Sequence, residues 1–600
     1  MDQKKCVLRC KQLSTDLGCA GWDGISAYTI GEKKRRGGEE MINLITVACL
    51  QTCLTLAIVY LRLLSVNRVV SKPPEGYKDA ILKVLGKSRQ DSGGSEGSEA
   101  TSSNNKLKFR WWKVGAVRRQ LILHSNRDIS RYGNEGGKTL ETTIVENKED
   151  ILRSFSKKRV ETENKRTIWG FFHPYCNAGG GGEKVLWKAV ECVLQRNAQN
   201  VVVVYTGDND TSGSAILESV TRKFGYRLDT QRILFVYLKY RHLVDSRTWP
   251  HFTLLGQALG SVILSIEAVF KCPPDVWCDT MGYPFGYPWV AHLLRIPVVA
   301  YIHYPVISTD MLGKHKKSEP KYWYWRLFMA YYRHVCRYVK VAITNSTWTN
   351  NHMKSILSGG PPHPRVVYPP CSTEKLCNMG DGDHDCVPFH ARKRQAVVLA
   401  QFRPEKRHSL ILREFARSLE HDDSLKLIFI GSIRTQRDRD YVSSLRELSY
   451  DTLGIPRSKF EIMTDLPFEE VQRVLRESQF GINAMWNEHF GIAVVEYMAC
   501  GAIPVVHASA GPLMDIVVDE SAGFFFLDES DPDIASKGEI LKEYGSLCDV
   551  FGKLCRLDPE VGDKMSRSNI KTALEKFSDA KFDESWNKYV IEVVEGKCEG

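Results

Sequence analysis

The sequence predicts an α/β protein with two successive doubly wound parallel-sheet domains that face each other across a cleft, behind an N-terminal membrane anchor. Three observations predict this arrangement. Strand-like and helix-like segments alternate from Thr167 onward, as in parallel sheets covered by helices. The alternation breaks after Cys371, at the turn-rich stretch 378–384, and then resumes. A chain of 600 residues also exceeds what one hydrophobic core organises.

The composition narrows the class of protein. The chain is 43% hydrophobic and 26% charged, which fits a globular protein and excludes a multi-span membrane protein. Its net charge of +11 suits a membrane surface or phosphate-bearing ligands. No zinc-finger, RNP or basic-zipper pattern is present, so nucleic acid is not an expected partner. The 17 cysteines form no C-x-x-C pair, which indicates reduced thiols in a cytosol-facing chain.

The N-terminal region predicts a membrane anchor. A polar tail, 1–40, precedes the apolar segment 41–64, which carries no charge until Arg62. About 23 helical residues span roughly 34 Å, enough for a hydrocarbon core of about 30 Å. A cleavable signal is the alternative, but the long polar lead and the lack of a small-residue cleavage site favour a retained anchor. Basic residues flank both ends, so orientation stays open; initiation at Met41 would place the main body in the cytosol.

The remaining segments follow in order. Residues 65–166 are expected to be a linker and a basic membrane-proximal region, with a Ser- and Gly-rich tether at its centre. The first domain is expected over 167–377, the second over 393–575, and a C-terminal helix over 576–600. The predicted strands are Ile168–Phe172, Val201–Thr206, Ile233–Val236, Asp275–Cys278, Val298–Ile302, Val341–Thr344, Ala396–Ala400, Lys426–Ile430, Phe460–Met463, Gly481–Ala484 and Ile503–Val506.

A glycine run follows the first predicted strand. The strand leads through His173 into four consecutive glycines, Gly179, Gly180, Gly181 and Gly182. Glycines before a helix let a ligand phosphate or sugar approach the backbone closely. The run is neither G-x-G-x-x-G nor a P-loop, so it predicts neither a dinucleotide site nor an NTPase site. A merely flexible loop is the alternative.

Two basic residues open the second domain. Arg403 and Lys406 follow a predicted strand and are three positions apart, so both can reach one pyrophosphate. There they would stabilise the negative charge that develops on a departing diphosphate. A solvated basic helix start is the alternative interpretation.

Paired carboxylates are the strongest signal in the chain. Glu488 and Glu496 are eight positions apart, with a loop containing Phe490 and Gly491 and a helix start between them. Gly491 permits a tight turn, so backbone N–H groups at the helix start can face an anion. A carboxylate on each side of such a site suits a nucleotide-sugar, one holding hydroxyls of the sugar and the other those of the ribose. An ordinary amphipathic helix with solvated glutamates is the alternative.

Several residues are weaker candidates. His303 ends a first-domain strand and could orient the transferred sugar or the acceptor hydroxyl, although a structural role is equally expected. Gly431, Ser432 and Gly511 lie in second-domain loops expected to line the base and phosphate sites. The acidic triplets at 208–210, 381–383 and 438–440 resemble metal-binding motifs, but we interpret them as solvated acids and predict no metal ligand.

Two apolar stretches indicate further membrane contact. Residues 251–270 form either a buried core helix or a helix lying in the bilayer surface, since Glu267 disfavours a full span. Residues 314–337 interleave lysine and arginine with tryptophan and tyrosine, which suits a headgroup layer or a lipid-linked pyrophosphate. An ordinary surface helix is the alternative for the second stretch.

The motifs together carry a family resemblance. Residues 173–175 with the glycine run, 301–305, 401–408 and 487–504 resemble the eukaryotic dolichol-linked oligosaccharide α-1,2-mannosyltransferases of N-glycan assembly. These are retaining GT-B glycosyltransferases, whose E-x7-E signature the paired glutamates match. The resemblance covers roughly residues 167–594.

The resemblance implies a donor, an acceptor and a location. It implies GDP-mannose as donor and a dolichyl-diphosphate Man3GlcNAc2 acceptor, which receives the fourth and fifth mannoses. The enzyme would be single-pass in the endoplasmic reticulum membrane with its catalytic domains in the cytosol, would need no metal cofactor, and would have other dolichol-pathway mannosyltransferases as candidate partners. Glu488 would contact the mannose, Glu496 the ribose, and Arg403 with Lys406 the diphosphate. A UDP-sugar transferase acting on another lipid and a non-catalytic membrane-tethered scaffold remain alternatives.

Overall fold

A computed structural model of the protein describes residues 70–87, 109–125, 128–156, 166–308, 311–312, 316–377, 387–534 and 543–596. The predicted polar tail, the membrane anchor 41–64 and the acidic triplet 381–383 lie outside these residues, as does most of the tether.

The first domain is built on a sheet of seven parallel strands in the order β3-β2-β1-β4-β5-β6-β7. Its interior strand β2 reads NVVVVYT and is buried along its whole length, as expected for a parallel strand covered by helices on both faces. The strands are β1 Thr167–Phe172, β2 Asn200–Thr206, β3 Ile233–Tyr237, β4 Val276–Asp279, β5 Val298–Ile302, β6 Val341–Thr344 and β7 Arg365–Val366.

The second domain repeats this topology. Six parallel strands lie in the order β10-β9-β8-β11-β12-β13. The strand that comes first in sequence, β8, lies inside the sheet, and the strand order reverses beside it, as it does beside β1 in the first sheet. The strands are β8 Lys393–Leu399, β9 Lys426–Gly431, β10 Phe460–Thr464, β11 Ser478–Asn483, β12 Ile503–His507 and β13 Phe524–Phe526.

Helices cover both sheets. Before and within the first domain they are α1 Tyr77–Lys87, α2 Val114–His124, α3 Leu140–Glu146, α4 Lys148–Ser156, α5 Gly181–Arg196, α6 Gly213–Phe224, α7 Thr253–Lys271, α8 Pro320–Cys336 and α9 Thr347–Leu357. From the crossing onward they are α10 Thr373–Cys377, α11 His408–Leu419, α12 Gln436–Arg446, α13 Phe468–Glu477, α14 Ile492–Ala499, α15 Leu547–Cys555, α16 Pro559–Phe577, α17 Asp579–Trp586 and α18 Glu592–Val594.

The predicted fold class is confirmed, and all eleven predicted strands are present. The sequence did not predict β7 and β13. They contain two and three residues, which is too short for a periodic apolar pattern to develop.

The region expected to be a linker is folded where the structure describes it. Ile81 and Leu85 of α1, Val117 and Leu121 of α2 and Ile144 of α3 are buried in the core that underlies the first sheet. The stretch expected to be a linker and a basic membrane-proximal region thus contains helices that pack onto the first domain. Basic residues interrupt the apolar ones in α1 and α2, and α3 has only seven residues, so no long apolar run marks the buried face.

The C-terminal helices return to the first domain. Phe582 and Trp586 of α17 are buried in the core on the other face of the first sheet, where the Trp586 ring lies 6.4 Å from that of Tyr301. The chain passes from the first domain to the second near Cys371 and back near Phe577. These two connections run side by side, since the Cys371 N–H donates to the Phe577 carbonyl at 3.3 Å. The two domains are therefore joined by a double connection.

Helix α7 has one buried and one exposed face. Among the described residues it is the one helix long and apolar enough to cross a membrane by length and composition. Gly256, Gly260 and Leu264 face the protein, while Leu255, Leu259 and Ile263 are exposed at helical spacing. The segment predicted as either core or membrane surface thus contributes to the core with one face only.

Candidate active site

The carboxyl ends of both sheets open on one cleft of about 650 Å³. In each sheet the strand order reverses beside the strand that comes first in sequence. The loops that follow β1 and β4 in the first sheet, and β8 and β11 in the second, therefore diverge and leave a crevice. The loops after β1, β8 and β11 carry the glycine run, Lys406 and Glu488, and all of these line the cleft. The shared topology therefore brings together motifs that are more than 300 positions apart in sequence.

Lys406 and Glu488 form an ion pair at the centre of the second domain's wall. Their side chains are 25% and 15% exposed, so both remain accessible to a ligand while being partly shielded from water. Charges held in such a partly dry cleft interact more strongly with a bound anion than they would in solution.

Glu496 lies deeper on the same side. It belongs to α14, which begins after Gly491, whose φ of 108° only glycine adopts readily. Burial raises the pKa of Glu496, and the nearby charge of Lys184 opposes that rise. Glu488 and Glu496 both line the cleft, as their spacing predicts.

The structure separates the two predicted basic residues. Lys406 lines the cleft, whereas Arg403 does not, and its side chain is 54% exposed with Glu405 4.0 Å away. Gln401, two positions earlier in the loop, lines the cleft instead. Sequence reasoning did not single out Gln401 or the cleft-lining Lys184. Their positions directly after β8 and after the glycine run were the available signals.

The glycine run is held from behind. The Gly180 N–H donates to Glu183 Oε2 at 2.6 Å, and the other oxygen of this carboxylate lies 3.5 Å from His173 Nε2. Although burial raises the pKa of Glu183, the hydrogen bond from His173 brings it below its usual value. His173 is completely buried and also bonds Thr280 at 2.7 Å, so it supports the loop and does not line the cleft.

The run also contacts the second domain directly. A Cβ at Gly181 would lie 2.8 Å from Ile492 Cδ1 at the start of α14, so the end of that side chain would have to shift to admit a larger residue. At Gly182 the nearest atom would be His303 Nε2, at 3.6 Å. The four glycines line the cleft together.

His303 is neutral. It follows β5, and its Nε2 lies 3.1 Å from the Thr280 carbonyl, to which it donates as the Nε2–H tautomer. Burial, and next the neighbouring His173, lower the pKa of His303 to about 4. The ring therefore offers the cleft hydrogen bonding without charge.

An aromatic stack joins the domains beside Glu488. The His489 ring lies 4.3 Å from that of Tyr304, nearly parallel to it, and 5.4 Å from that of Trp348. Burial lowers the pKa of His489 to about 4, so this ring is also neutral. The stack fixes the loop of Glu488 against the first domain.

The remaining predicted residues divide into lining and supporting ones. Gly431 and Ser432 line the cleft after β9, and Phe490 lines it at its base while stacking on Tyr368 at 5.6 Å. Gly511 does not line the cleft. Its N–H donates to the Glu488 carbonyl at 2.9 Å, and a Cβ there would lie 2.5 Å from the His489 carbonyl oxygen.

The two described acidic triplets have structural partners. Asp208 pairs with Arg241 and accepts from the Asn177 N–H at 3.1 Å. Asp438 caps α12 together with Thr435. Neither triplet lines the cleft.

Two family models match the chain. "ALG11 mannosyltransferase N-terminus" matches residues 166–357 and "Glycosyl transferases group 1" matches 384–553. A relative in Eremothecium gossypii, named GDP-Man:Man(3)GlcNAc(2)-PP-Dol alpha-1,2-mannosyltransferase, is 47% identical over 87% of this chain and 91% of its own length. The chain belongs to this family. A relative of the same name in Homo sapiens is 41% identical over 64% of this chain and 82% of its own length.

Solved structures agree on the fold. An alpha,alpha-trehalose 6-phosphate synthase from Burkholderia multivorans matches with a TM-score of 0.51 at 12% identity, covering 72% of this chain and 100% of that chain. This match and the two parallel sheets place the chain in the GT-B fold. The family resemblance and the fold expected from the motifs are thus both confirmed.

Proposed function

We propose that this protein transfers mannose from GDP-mannose, in α-1,2 linkage and with retention, to Man3GlcNAc2-diphosphate-dolichol on the cytosolic face of the endoplasmic reticulum. The products would carry the fourth and fifth mannoses of the N-glycan precursor. Family membership supports the donor and the acceptor. The observation that carries the assignment of the site is the convergence of Lys406, Glu488 and Glu496 on one cleft.

The second domain holds the donor in this proposal. Lys406 neutralises the diphosphate, and backbone N–H groups at the start of α14 add partial positive charge. Glu496 accepts hydrogen bonds from the ribose hydroxyls. Glu488, released from its ion pair once a phosphate competes for Lys406, accepts those of the mannose.

Transfer proceeds on one face of the sugar. The bond between mannose C1 and the diphosphate oxygen breaks while the acceptor oxygen forms its bond to C1 on the same side. The acceptor proton goes to the departing phosphate oxygen, so an α-linked donor gives an α-linked product. Lys406 stabilises the negative charge that grows on the leaving group. With this charge available we expect transfer without added metal, which an assay in excess EDTA tests.

The first domain presents the lipid-linked acceptor, and one of its surfaces fits a bilayer. Two exposed apolar stripes run along its helices at four-residue spacing: Leu255, Leu259 and Ile263 on α7, and Trp323, Leu327 and Tyr331 on α8. Phe252 and Tyr324 join the helices, with ring centroids 5.9 Å apart. Lys321 and Arg326 flank the second stripe, as expected for a surface beside anionic headgroups.

Comparing kcat/KM for a membrane-embedded acceptor with kcat/KM for a soluble one tests this proposed membrane surface. Leu259→Asp and Leu327→Asp should lower kcat/KM for a dolichol-linked acceptor in vesicles but not for a short-chain acceptor in solution. Val518→Asp, at an exposed position of the second domain, is the control. Equal losses with both acceptors would argue for a folding defect.

The proposed reaction is tested with the purified protein in detergent, radiolabelled GDP-mannose and a Man3GlcNAc2-diphosphate-lipid. We expect transfer of two mannoses that an α-1,2-mannosidase releases, and strong competition by GDP but not by UDP. Competition by UDP alone would favour a UDP-sugar transferase. Tight GDP binding with no transfer to this acceptor would overturn the assigned reaction.

A further inference from the structure

A buried chain of hydrogen bonds connects the loop of Lys406 with the loop of Glu488. Arg407 donates from Nη1 to Asp531 at 2.7 Å, and His507 Nε2 lies 2.7 Å from the other oxygen of the same carboxylate. His507 Nδ1 lies 2.8 Å from Ser509 Oγ, which in turn accepts from the Asn487 N–H at 2.9 Å. Asp531 is completely buried and His507 nearly so. We call these five residues the buried relay.

Two groups in the buried relay have a fixed hydrogen-bonding role, namely the Asp531 carboxylate and the Asn487 N–H. Burial raises the pKa of Asp531, but the hydrogen bond and charge of His507 with other donors bring it below its usual value, so Asp531 is ionised and only accepts. His507 therefore donates from Nε2 to Asp531, and its Nδ1 lies 2.8 Å from the Ser509 hydroxyl oxygen. That hydroxyl keeps a lone pair for the Asn487 N–H.

Each end of the buried relay holds a strained backbone. Arg407 and Asn487 both adopt left-handed conformations, with φ of 56° and 54°, which non-glycine residues rarely occupy. Arg407 directly follows Lys406, and Asn487 directly precedes Glu488. Such backbone conformations persist only where the surroundings enforce them, and here the enforcing contacts belong to one hydrogen-bonded chain.

We propose that Asp531, His507 and Ser509 are positioning residues that fix Lys406 and Glu488 relative to each other through Arg407 and Asn487. The inference rests on the proposed function, in which Lys406 meets the diphosphate and Glu488 the mannose of one donor. Because the two groups must act on adjacent parts of one transition state, a small displacement of either lowers the rate of transfer. None of the three lines the cleft.

A matched pair of substitutions tests the proposal. Ser509→Ala removes the link to Asn487 without changing charge. Ser530→Ala removes a hydroxyl 2.9 Å from Arg407 Nη2 at the exposed edge of the same cluster. We expect Ser509→Ala to lower kcat about 10-fold while the Kd for GDP changes less than about twofold, because the phosphate and ribose contacts remain. Ser530→Ala should leave both constants within about twofold of wild type.

Two further measurements separate positioning from stability and from the proposed reaction. A loss of activity in Ser509→Ala that matches its unfolded fraction at the assay temperature would overturn the proposal, as would a kcat equal to that of Ser530→Ala. A crystal structure of Ser509→Ala should show Asn487 outside the left-handed region and Glu488 displaced. Retention of both positions would overturn the positioning role whichever donor the enzyme uses, whereas wild-type protein without mannose transfer would count only against the proposed function.

Discussion

The two sheets share one strand order but present different chemistry to the cleft. The first domain offers the backbone of four glycines, the neutral ring of His303 and two lysines, Lys184 and Lys223, and it keeps the carboxylate of Glu183 behind the loop. The second domain offers the charged groups of Lys406, Glu488 and Glu496. Topology therefore decides where a ligand binds, and the residues after each strand decide which ligand. A lysine beside two carboxylates in the second domain suits the diphosphate and hydroxyls of a nucleotide-sugar, and the glycine backbone with a neutral imidazole in the first domain suits the hydroxyls of an oligosaccharide.

The largest expected effect comes from the charged groups of the second domain. Glu488→Gln keeps the size of the side chain but removes the charge that pairs with Lys406 and the acceptor capacity for mannose hydroxyls. We expect kcat to fall about 10²–10³-fold in the transfer assay. Glu405→Gln, which changes an exposed glutamate, is the control and should stay near wild type. A decrease in kcat of less than about 10-fold in Glu488→Gln would show that Glu488 does not stabilise the transition state.

The second prediction divides the two basic residues. Lys406→Ala should lower kcat about 10²-fold with little change in acceptor KM, because its charge matters most as the diphosphate departs. Arg403→Ala should cost less than about 10-fold, since this side chain is largely exposed and does not line the cleft. Steady-state kinetics with both substrates measure this. Equal losses in kcat and in acceptor binding for Lys406→Ala would sink its assigned role.

The glycine run of the first domain should depend on close packing. Gly181→Ala places a Cβ against the terminal methyl group of Ile492 in the second domain, so that side chain must shift and kcat/KM should fall about threefold. Gly182→Ala meets only ordinary contact distances and should have the smaller effect. If Gly182→Ala proved the more harmful, the loop would be important for ligand contact rather than for packing between domains.

The smallest expected effect is a change of the free energy of unfolding with pH. The pKa of His303 and that of His489 are lowered to about 4, whereas both residues titrate near 6.5 when unfolded. The unfolded chain thus binds more protons between these values, so stability is full above about pH 6.5 and falls as pH drops toward 4.

Urea unfolding at pH 7 and pH 5 measures this effect. The midpoint should fall at the lower pH, and His489→Phe, which can keep the stack on Tyr304, should lessen the fall. His421→Phe, at an exposed position, should leave the fall unchanged. An identical pH dependence in His489→Phe and wild type would refute the neutral, buried state of His489.

Much of this comparison could be predicted from the sequence. Runs such as Val201–Thr206 are so uniformly apolar that they identify buried parallel strands, and only a short loop and the first turns of one helix separate Glu488 from Glu496. The position of His303 at the end of a strand was likewise sufficient to place it at the cleft. These are local patterns, which a sequence displays directly.

What could not be predicted depends on contacts that are distant in sequence. Gln401 lines the cleft while Arg403 does not, and the same irregular loop contains the left-handed Arg407, a conformation that no periodic pattern reveals. The support of Glu488 by Ser509, His507 and Asp531 joins three separate segments. Likewise, Trp586 packs under the first sheet although it follows the second domain in sequence.

The central claim, that the second domain holds the donor and the first the acceptor, is tested most directly by titrating GDP into two variants by calorimetry. Glu496→Gln should raise the Kd for GDP about 10-fold, because it weakens charged hydrogen bonds to the ribose. His303→Gln should leave that Kd within about twofold of wild type, since GDP carries neither the mannose nor the acceptor. A GDP affinity that is unchanged in Glu496→Gln, or weakened equally in His303→Gln, would contradict the division between the domains.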